Sequence, residues 1–227
     1  MGTAITLLVT MAAGAASLRV LYGLAQNFQP GRKKLQRDLQ RLKDEVQPLL
    51  EDLVPFSPTE LERLSYNLEK FHTQKRGFYT AKGIYTSIYT EPMVAWSFKR
   101  YISPNLNALL YIRTAKREFV YRLRQDAIEV AINTGFAGLI TPDGQLLNVQ
   151  RKRRMALIRR PEIGELKPIY VGEKEVASIV KPGTSSSPYP RVFEFVAPMS
   201  TEERDYLLAL ALCELILEKM DADFSKK

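Results

Sequence analysis

One cysteine and one histidine are all that this chain holds of either. With Cys213 alone, no disulfide can form within a chain and no thiolate cluster can hold a metal. With His72 alone, His-rich metal sites are excluded, and any Ser/His/Asp triad has to be built on that residue. Gly-rich phosphate loops, H-E-x-x-H and G-x-S-x-G are also missing. No acidic loop has the ligand spacing of a calcium site, since Asp143 stands almost alone and Glu173 and Glu175 flank Lys174. These absences disfavour the common hydrolase and metalloenzyme designs, and neither a cofactor nor a metal is expected.

Long apolar runs are scarce, and two stand out. The first is Ile5–Ala25, ITLLVTMAAGAASLRVLYGLA, which carries one charge, Arg19. As a helix its 21 residues span about 31 Å, the thickness of a bilayer core. Ile5, Leu7, Leu8, Val9, Leu18, Val20, Leu21 and Leu24 would face lipid, with Arg19 reaching for the headgroups. Arg32, Lys33, Lys34, Arg37, Arg41 and Lys43 follow the run and no basic side chain precedes it. The positive-inside bias then predicts a single span with the amino terminus outside and the rest cytoplasmic. A cleaved secretory signal is the competing reading, although its basic n-region is missing. MGTAIT also fits the loose N-myristoylation pattern. Ala12, Ala13, Ala16 and Ser17 could line a helix–helix contact or simply face lipid.

Beyond the span, Leu35, Leu39, Leu42, Val46, Leu49 and Leu50 recur at helical intervals and predict an amphipathic helix over Lys33–Leu53, divided at Pro48. Its other face mixes both signs of charge, as a solvated or headgroup-facing surface does. A second helix is predicted from Ser57, with Pro58 at its first position and Glu60 completing a capping box. Leu61, Leu64, Leu68 and Phe71 would share a face, and His72 would close the helix.

From Gly77 the period changes to two. Val94, Trp96 and Phe98 alternate with Ala95, Ser97 and Lys99; Phe119, Tyr121 and Leu123 alternate with Val120, Arg122 and Arg124; Ile128, Val130 and Ile132 follow suit. These read as strands with one dry and one wet face. Thr141-Pro142-Asp143-Gly144 and Gly172-Glu173-Lys174 are turns, and Gly135 and Gly138 mark close packing or a bulge. Many short strands at about ten-residue spacing indicate an antiparallel sheet, sandwich or barrel.

The second apolar run, Tyr206–Cys213, has no polar break, and Ser200 with Glu203 forms a capping box ahead of it. A helix here is apolar on every side, so a flat sheet would cover only part of it. A sheet curved around it covers all of it, with Glu214, Glu218 and Lys219 marking where it emerges. Cys213 is then a buried apolar residue and not a reactive thiol.

The order of elements, "GLITPDGQLL" (Gly138–Leu147), and "KPIYVGEKEVASIVKPG" followed by "FEFVAPMSTEERDYLLALALCELI" resemble the tubby-like superfamily, which includes the phospholipid scramblases and the LURP-one-related proteins. The resemblance covers about Gly77–Met220 and implies a closed antiparallel β-barrel around a buried C-terminal hydrophobic helix. The cysteine-rich tract and proline-rich amino-terminal region of the animal scramblases have no counterpart, so calcium-activated scrambling does not carry over. The expected architecture is α+β. Residues 1–29 form a transmembrane anchor, 30–75 two connecting helices, 76–220 the barrel and 221–227 a tail.

The net charge is +8, and RKRRMALIRR (Arg151–Arg160) places six basic residues in ten with no acid. Next to an inner leaflet, Arg151, Lys152, Arg153 and Arg154, with Arg159 and Arg160 adjacent, would attract anionic headgroups, at about 1 kcal/mol per near-surface charge. The resemblance implies the same chemistry, since tubby-like barrels bind phosphoinositide headgroups through basic residues. The alternative is a solvated loop, or one that meets acids elsewhere on the barrel. Nucleic acid is not expected, because no aromatics interleave with the cluster. The function expected first is a non-catalytic lipid- or protein-interaction module on a membrane. Second comes a scramblase-like protein that moves lipid across the bilayer, and third an enzyme whose site lies near His72 or Glu91. The sequence does not indicate an oligomeric state.

Overall fold

The computed structural model describes residues 30–57, 60–75, 78–148, 150, 153–161, 166–183 and 188–225. The proposed span at Ile5–Ala25 lies outside them. Twelve strands form one antiparallel sheet in which neighbours in sequence are neighbours in space. They are β1 (Leu64–Lys75), β2 (Tyr79–Ser87), β3 (Pro92–Arg100), β4 (Asn107–Thr114), β5 (Glu118–Arg124), β6 (Ile128–Ile132), β7 (Gly135–Ile140), β8 (Gln145–Asn148), β9 (Arg153–Ile158), β10 (Leu166–Val171), β11 (Lys174–Val180) and β12 (Phe193–Val196). Helix α1 (Arg32–Val46) precedes the sheet and α2 (Thr201–Ser225) follows it.

The sheet rolls into a nearly closed barrel. Where first and last strands meet, Val192 N–H donates to the Leu64 carbonyl at 2.8 Å, Tyr66 N–H donates to that of Pro190 at 2.9 Å, and Ser65 bridges to Arg191. This pairing covers the edges that a rolled sheet would otherwise leave exposed.

Helix α2 fills the barrel. Ser200 and Glu203 cap it reciprocally: Ser200 N–H donates to Glu203 Oε2 at 2.7 Å, and Glu203 N–H to Ser200 Oγ at 3.2 Å. Every residue from Leu207 to Ile216 is buried. The lining comes from the alternate strand residues expected to be dry, among them Val94, Trp96, Phe98, Phe119, Tyr121, Leu123 and Val130. Tyr121 brings a polar handle of this wall to the helix, its hydroxyl donating to the Ala209 carbonyl at 2.9 Å. Cys213 is buried among the same apolar groups, and burial pushes its thiol well above the ordinary range.

The first connecting helix forms and is divided at Pro48 as expected, whereas the second departs from expectation. The first ends at Val46, and Pro48 sits in a short 3-10 turn, Gln47–Leu49. Its apolar stripe does not face lipid or solvent. Leu42 and Val46, with Leu35, Leu39, Leu49 and Leu50, pack on Ile84, Ala95, Tyr101, Leu109 and Tyr111 outside the barrel wall. That contact corrects the reading of β3 as half wet, since Ala95 and Ser97 are fully buried and Lys99 is 5% exposed.

The second connecting helix does not form. The Ser57–Glu60 capping box is made, with Ser57 N–H donating to Glu60 Oε2 at 2.6 Å, yet it starts only a 3-10 turn, Glu60–Arg63. Leu64 onward is strand β1, which brings the barrel's start forward from residue 76. Bulges explain the helix-like spacing. The β1–β2 register slips between Leu64 and Leu68 and again between Glu69 and His72, where Lys70 takes a φ of 49°. The first slip adds two residues and keeps the alternation in phase, while the second adds one and reverses it, so Leu64, Leu68 and Phe71 all reach the core at intervals of four and three.

Glycines are required at two turns or close approaches. In Thr141–Gly144 the glycine φ is +84°, and its N–H closes the turn on the Thr141 carbonyl at 2.9 Å. At Gly138 a Cβ would lie 2.2 Å from the Leu147 carbonyl oxygen. The register of β6 and β7 slips beside it, between Val130 and Ala131, as a bulge does.

Candidate functional site

In an up-and-down barrel the hairpin loops alternate between two ends. The end where α2 begins is called the base here, and the end where it emerges the exit end. Arg117, in the β4–β5 turn, pairs with Asp205 near the start of α2 at 2.8 Å, which fixes that turn at the base. Tyr79, at the start of β2, donates to Asp223 at 2.8 Å, which fixes that strand end at the exit.

Strand β9 carries the basic segment and splits it between these ends. Arg153 and Arg154 open the strand at the base, and Arg159 and Arg160 follow it at the exit end. Six residue steps separate Arg153 from Arg159, about 20 Å of strand. One headgroup cannot bridge that distance. Arg151 and Lys152 lie outside the described residues. Arg153 is exposed and joins no ion pair among the described residues. Arg154 Nη2 donates to Glu173 Oε1 at 2.9 Å, a surface contact in which the glutamate side chain is 92% exposed. The Arg159 guanidinium lies 4.7 Å from the ring centre of Tyr170.

Arg160 turns inward. Its Nε and Nη2 donate to Glu214 Oε1 and Oε2 at 2.9 and 2.7 Å, and Nη1 donates to the Pro142 carbonyl at 2.8 Å. Lys167, from β10, reaches Glu214 Oε1 at 3.0 Å and also meets Glu218. Two cations and two carboxylates thus close the exit mouth around α2. Burial raises the Glu214 carboxyl, but the hydrogen bonds and charges of Arg160 and Lys167 more than offset it and hold the group below its ordinary value. Burial likewise opposes the charge on Lys167, while Glu218 and Glu214 favour it, and the balance lies above the ordinary lysine value.

Clefts flank the helix at this mouth. One, of about 160 Å³, lies beside Arg124, Ile140, Arg160 and Leu217. The other, of about 280 Å³, lies between α2 and the β1–β2 wall, beside Tyr66, Tyr85, Leu215 and Glu218. Glu218 Oε2 is buried without a hydrogen-bond partner among the described residues.

The sequence reading missed a second buried pair on the outer wall. Lys99 Nζ meets Asp38 Oδ1 at 2.7 Å, and the Tyr101 hydroxyl donates to Asp38 Oδ2 at 2.9 Å. Burial drives the Lys99 ammonium below its ordinary value despite the pull of Asp38. A signal was present: Asp38 lies on the same helical stripe as Leu35, Leu42 and Val46, and Lys99 continues the pattern of β3.

His72 is exposed on β1, opposite Lys82. Glu91 borders a cleft of about 20 Å³, room for roughly one water. Among the described residues no group of three or more His, Cys, Asp or Glu could hold a metal, and no helix is long and apolar enough to cross a membrane. No known protein family matches this chain, and neither does a curated protein or a solved structure.

Proposed function

We propose that this chain is a membrane-anchored, tubby-like barrel that binds anionic surfaces and catalyses no reaction. The span would be Ile5–Ala25, with the barrel on the cytoplasmic side. The nearly closed barrel filled by its own C-terminal helix supports the tubby-like reading. The observation that carries the binding reading is the state of charge at the start of β9. Among the described residues Arg153 is exposed and joins no ion pair, and Arg154 meets only the solvent-exposed Glu173, so no buried acid there neutralises these two charges. A surface pair of that kind contributes at most about 1 kcal/mol and yields readily to a stronger anion. Arg160, held by Glu214, supports the barrel mouth instead of contacting a headgroup.

Flotation with phosphatidylcholine vesicles of increasing phosphatidylserine content tests the proposal on residues 30–227, which contain every strand and helix of the described residues. Binding should rise with the anionic fraction, fall as salt is raised, and collapse when Arg151, Lys152, Arg153 and Arg154 are changed to glutamate. Binding that ignores lipid charge, or survives that reversal, removes the proposal.

A further inference from the structure

A cleft of about 200 Å³ opens at the base, where the β4–β5 turn meets the first turns of α2. Lys116 and Arg117 line it from the turn, Arg204, Asp205 and Leu208 line it from the helix, and Phe56 borders it as well. Arg204 and Leu208 lie four residues apart on α2 and so share a face. A cation thus stands directly beside an apolar side chain.

Charge in this cleft is not balanced from within the fold. The residues three and four away from Arg204 along α2 are Ser200, Thr201, Leu207 and Leu208, and none is acidic. The two acids just before it are engaged elsewhere: Glu203 accepts from the Ser200 N–H at 2.7 Å, and Glu202 accepts from the Tyr206 hydroxyl at 2.7 Å. Asp205 does line the cleft, but Arg117 Nε donates to both its oxygens, at 2.8 and 3.0 Å. Arg204 and Lys116 join no ion pair among the described residues. Arg204 is half-buried, and its Nε is buried without a hydrogen-bond partner among those residues. A cation partly removed from water without a counter-charge is unfavourable, and a bound anion offsets that penalty. Three cations against one carboxylate leave two positive charges uncompensated, and the positive end of the α2 dipole at Thr201 adds to them.

Charge and size select the ligand. A phosphate monoester carries about −1.5 to −2 charges at neutral pH, which matches two cations better than a singly charged carboxylate does. An apolar cavity of about 150 Å³ admits benzene, so this cleft has room for a body of ring size and its phosphate. Phe56 and Leu208 favour an apolar body over a polyol. We infer that the cleft binds a phosphate monoester with a compact apolar body. Arg204 and Lys116 donate to the phosphate oxygens, while Phe56 and Leu208 pack against the body. The site uses neither the proposed span nor Arg151–Arg154, so it stands or falls apart from the anionic-surface reading.

Calorimetric titration of the full chain in a neutral detergent, with phenyl phosphate as the probe, tests the site. Saturable binding is expected, and inorganic phosphate and glycerol 3-phosphate should bind at least about tenfold more weakly, because neither buries an apolar body. Arg204→Met should weaken phenyl phosphate at least about tenfold by removing charge-assisted hydrogen bonds. Lys116 is exposed, so Lys116→Gln reads the site without disturbing the fold, and a loss of about threefold is expected. The variant Arg153→Glu/Arg154→Glu should bind phenyl phosphate as the unaltered chain does. Absence of saturable binding overturns the inference. So does binding that both Arg204→Met and Lys116→Gln leave intact, or that Arg153→Glu/Arg154→Glu abolishes. Glycerol 3-phosphate binding as tightly as phenyl phosphate would mark a lipid-type headgroup and overturn the apolar body.

Discussion

The guanidinium of Arg160 holds the carboxylate of Glu214 with two contacts, Nε to Oε1 at 2.9 Å and Nη2 to Oε2 at 2.7 Å. Arg160 lies two residues beyond the end of β9, and Glu214 directly follows the apolar run of α2, so the pair ties the wall to the helix it encloses. Lys167 approaches the same carboxylate from β10. Glu214→Ala leaves the buried Lys167 ammonium with Glu218 alone and frees the Arg160 fork. It should destabilise the fold by about 3–5 kcal/mol, measured by urea denaturation.

The same carboxylate sets an acid limit. The folded state holds Glu214 below its ordinary value, so its contribution is full above the unfolded pKa and is lost as pH falls through the folded one. Stability followed from pH 6 downward should fall below the ordinary carboxylate range. In Glu214→Gln, already weaker at pH 6, that part of the decline should be missing. A parallel slope in both proteins would show that Glu214 does not contribute it.

On the outer wall, Asp38→Ala strands the Lys99 ammonium under α1, where 7% of its side chain is exposed. A loss of about 3 kcal/mol is expected in thermal or chemical unfolding. Replacing both partners by apolar groups, Asp38→Leu with Lys99→Met, should recover most of it, because the site then holds no unpaired charge.

Tyr121→Phe removes a hydroxyl from the wall facing Ala209 while keeping the ring. The expected cost is about 1 kcal/mol, read from the denaturation midpoint. Burial pushes this phenol far above its ordinary pKa, so no alkaline titration of Tyr121 should appear while the barrel is folded.

Two glycines should respond differently to alanine. At Gly138 the new Cβ would sit 2.2 Å from the Leu147 carbonyl oxygen, so β7 or β8 must move, at a cost of about 1–3 kcal/mol. At Gly172 there is open space and only a φ of +61°, so about 1 kcal/mol is expected. Melting temperatures of the two variants check the order.

Local chemistry made much of the barrel legible. Alternation marked Trp96, Phe98, Phe119 and Tyr121 as lining, Ser200 and Glu203 marked the start of α2, and the Thr141–Gly144 turn needed its glycine. The β1 strand was hidden because its bulges give inward residues a helical spacing. The split of the basic segment was hidden too, because RKRRMALIRR reads as one cluster until a strand stretches it from one end of the barrel to the other.

By itself, the sequence determined that α2 had to be enclosed, since an unbroken apolar helix surface finds no favourable contact with water on any side. Only the tertiary structure decided which charges are spent within the fold. Arg160 and Arg159 are neighbours, yet one meets a buried carboxylate and the other a surface tyrosine. Such pairings join residues far apart in the chain, and the curvature and closure of the sheet bring them together. No local pattern in the sequence encodes that distance.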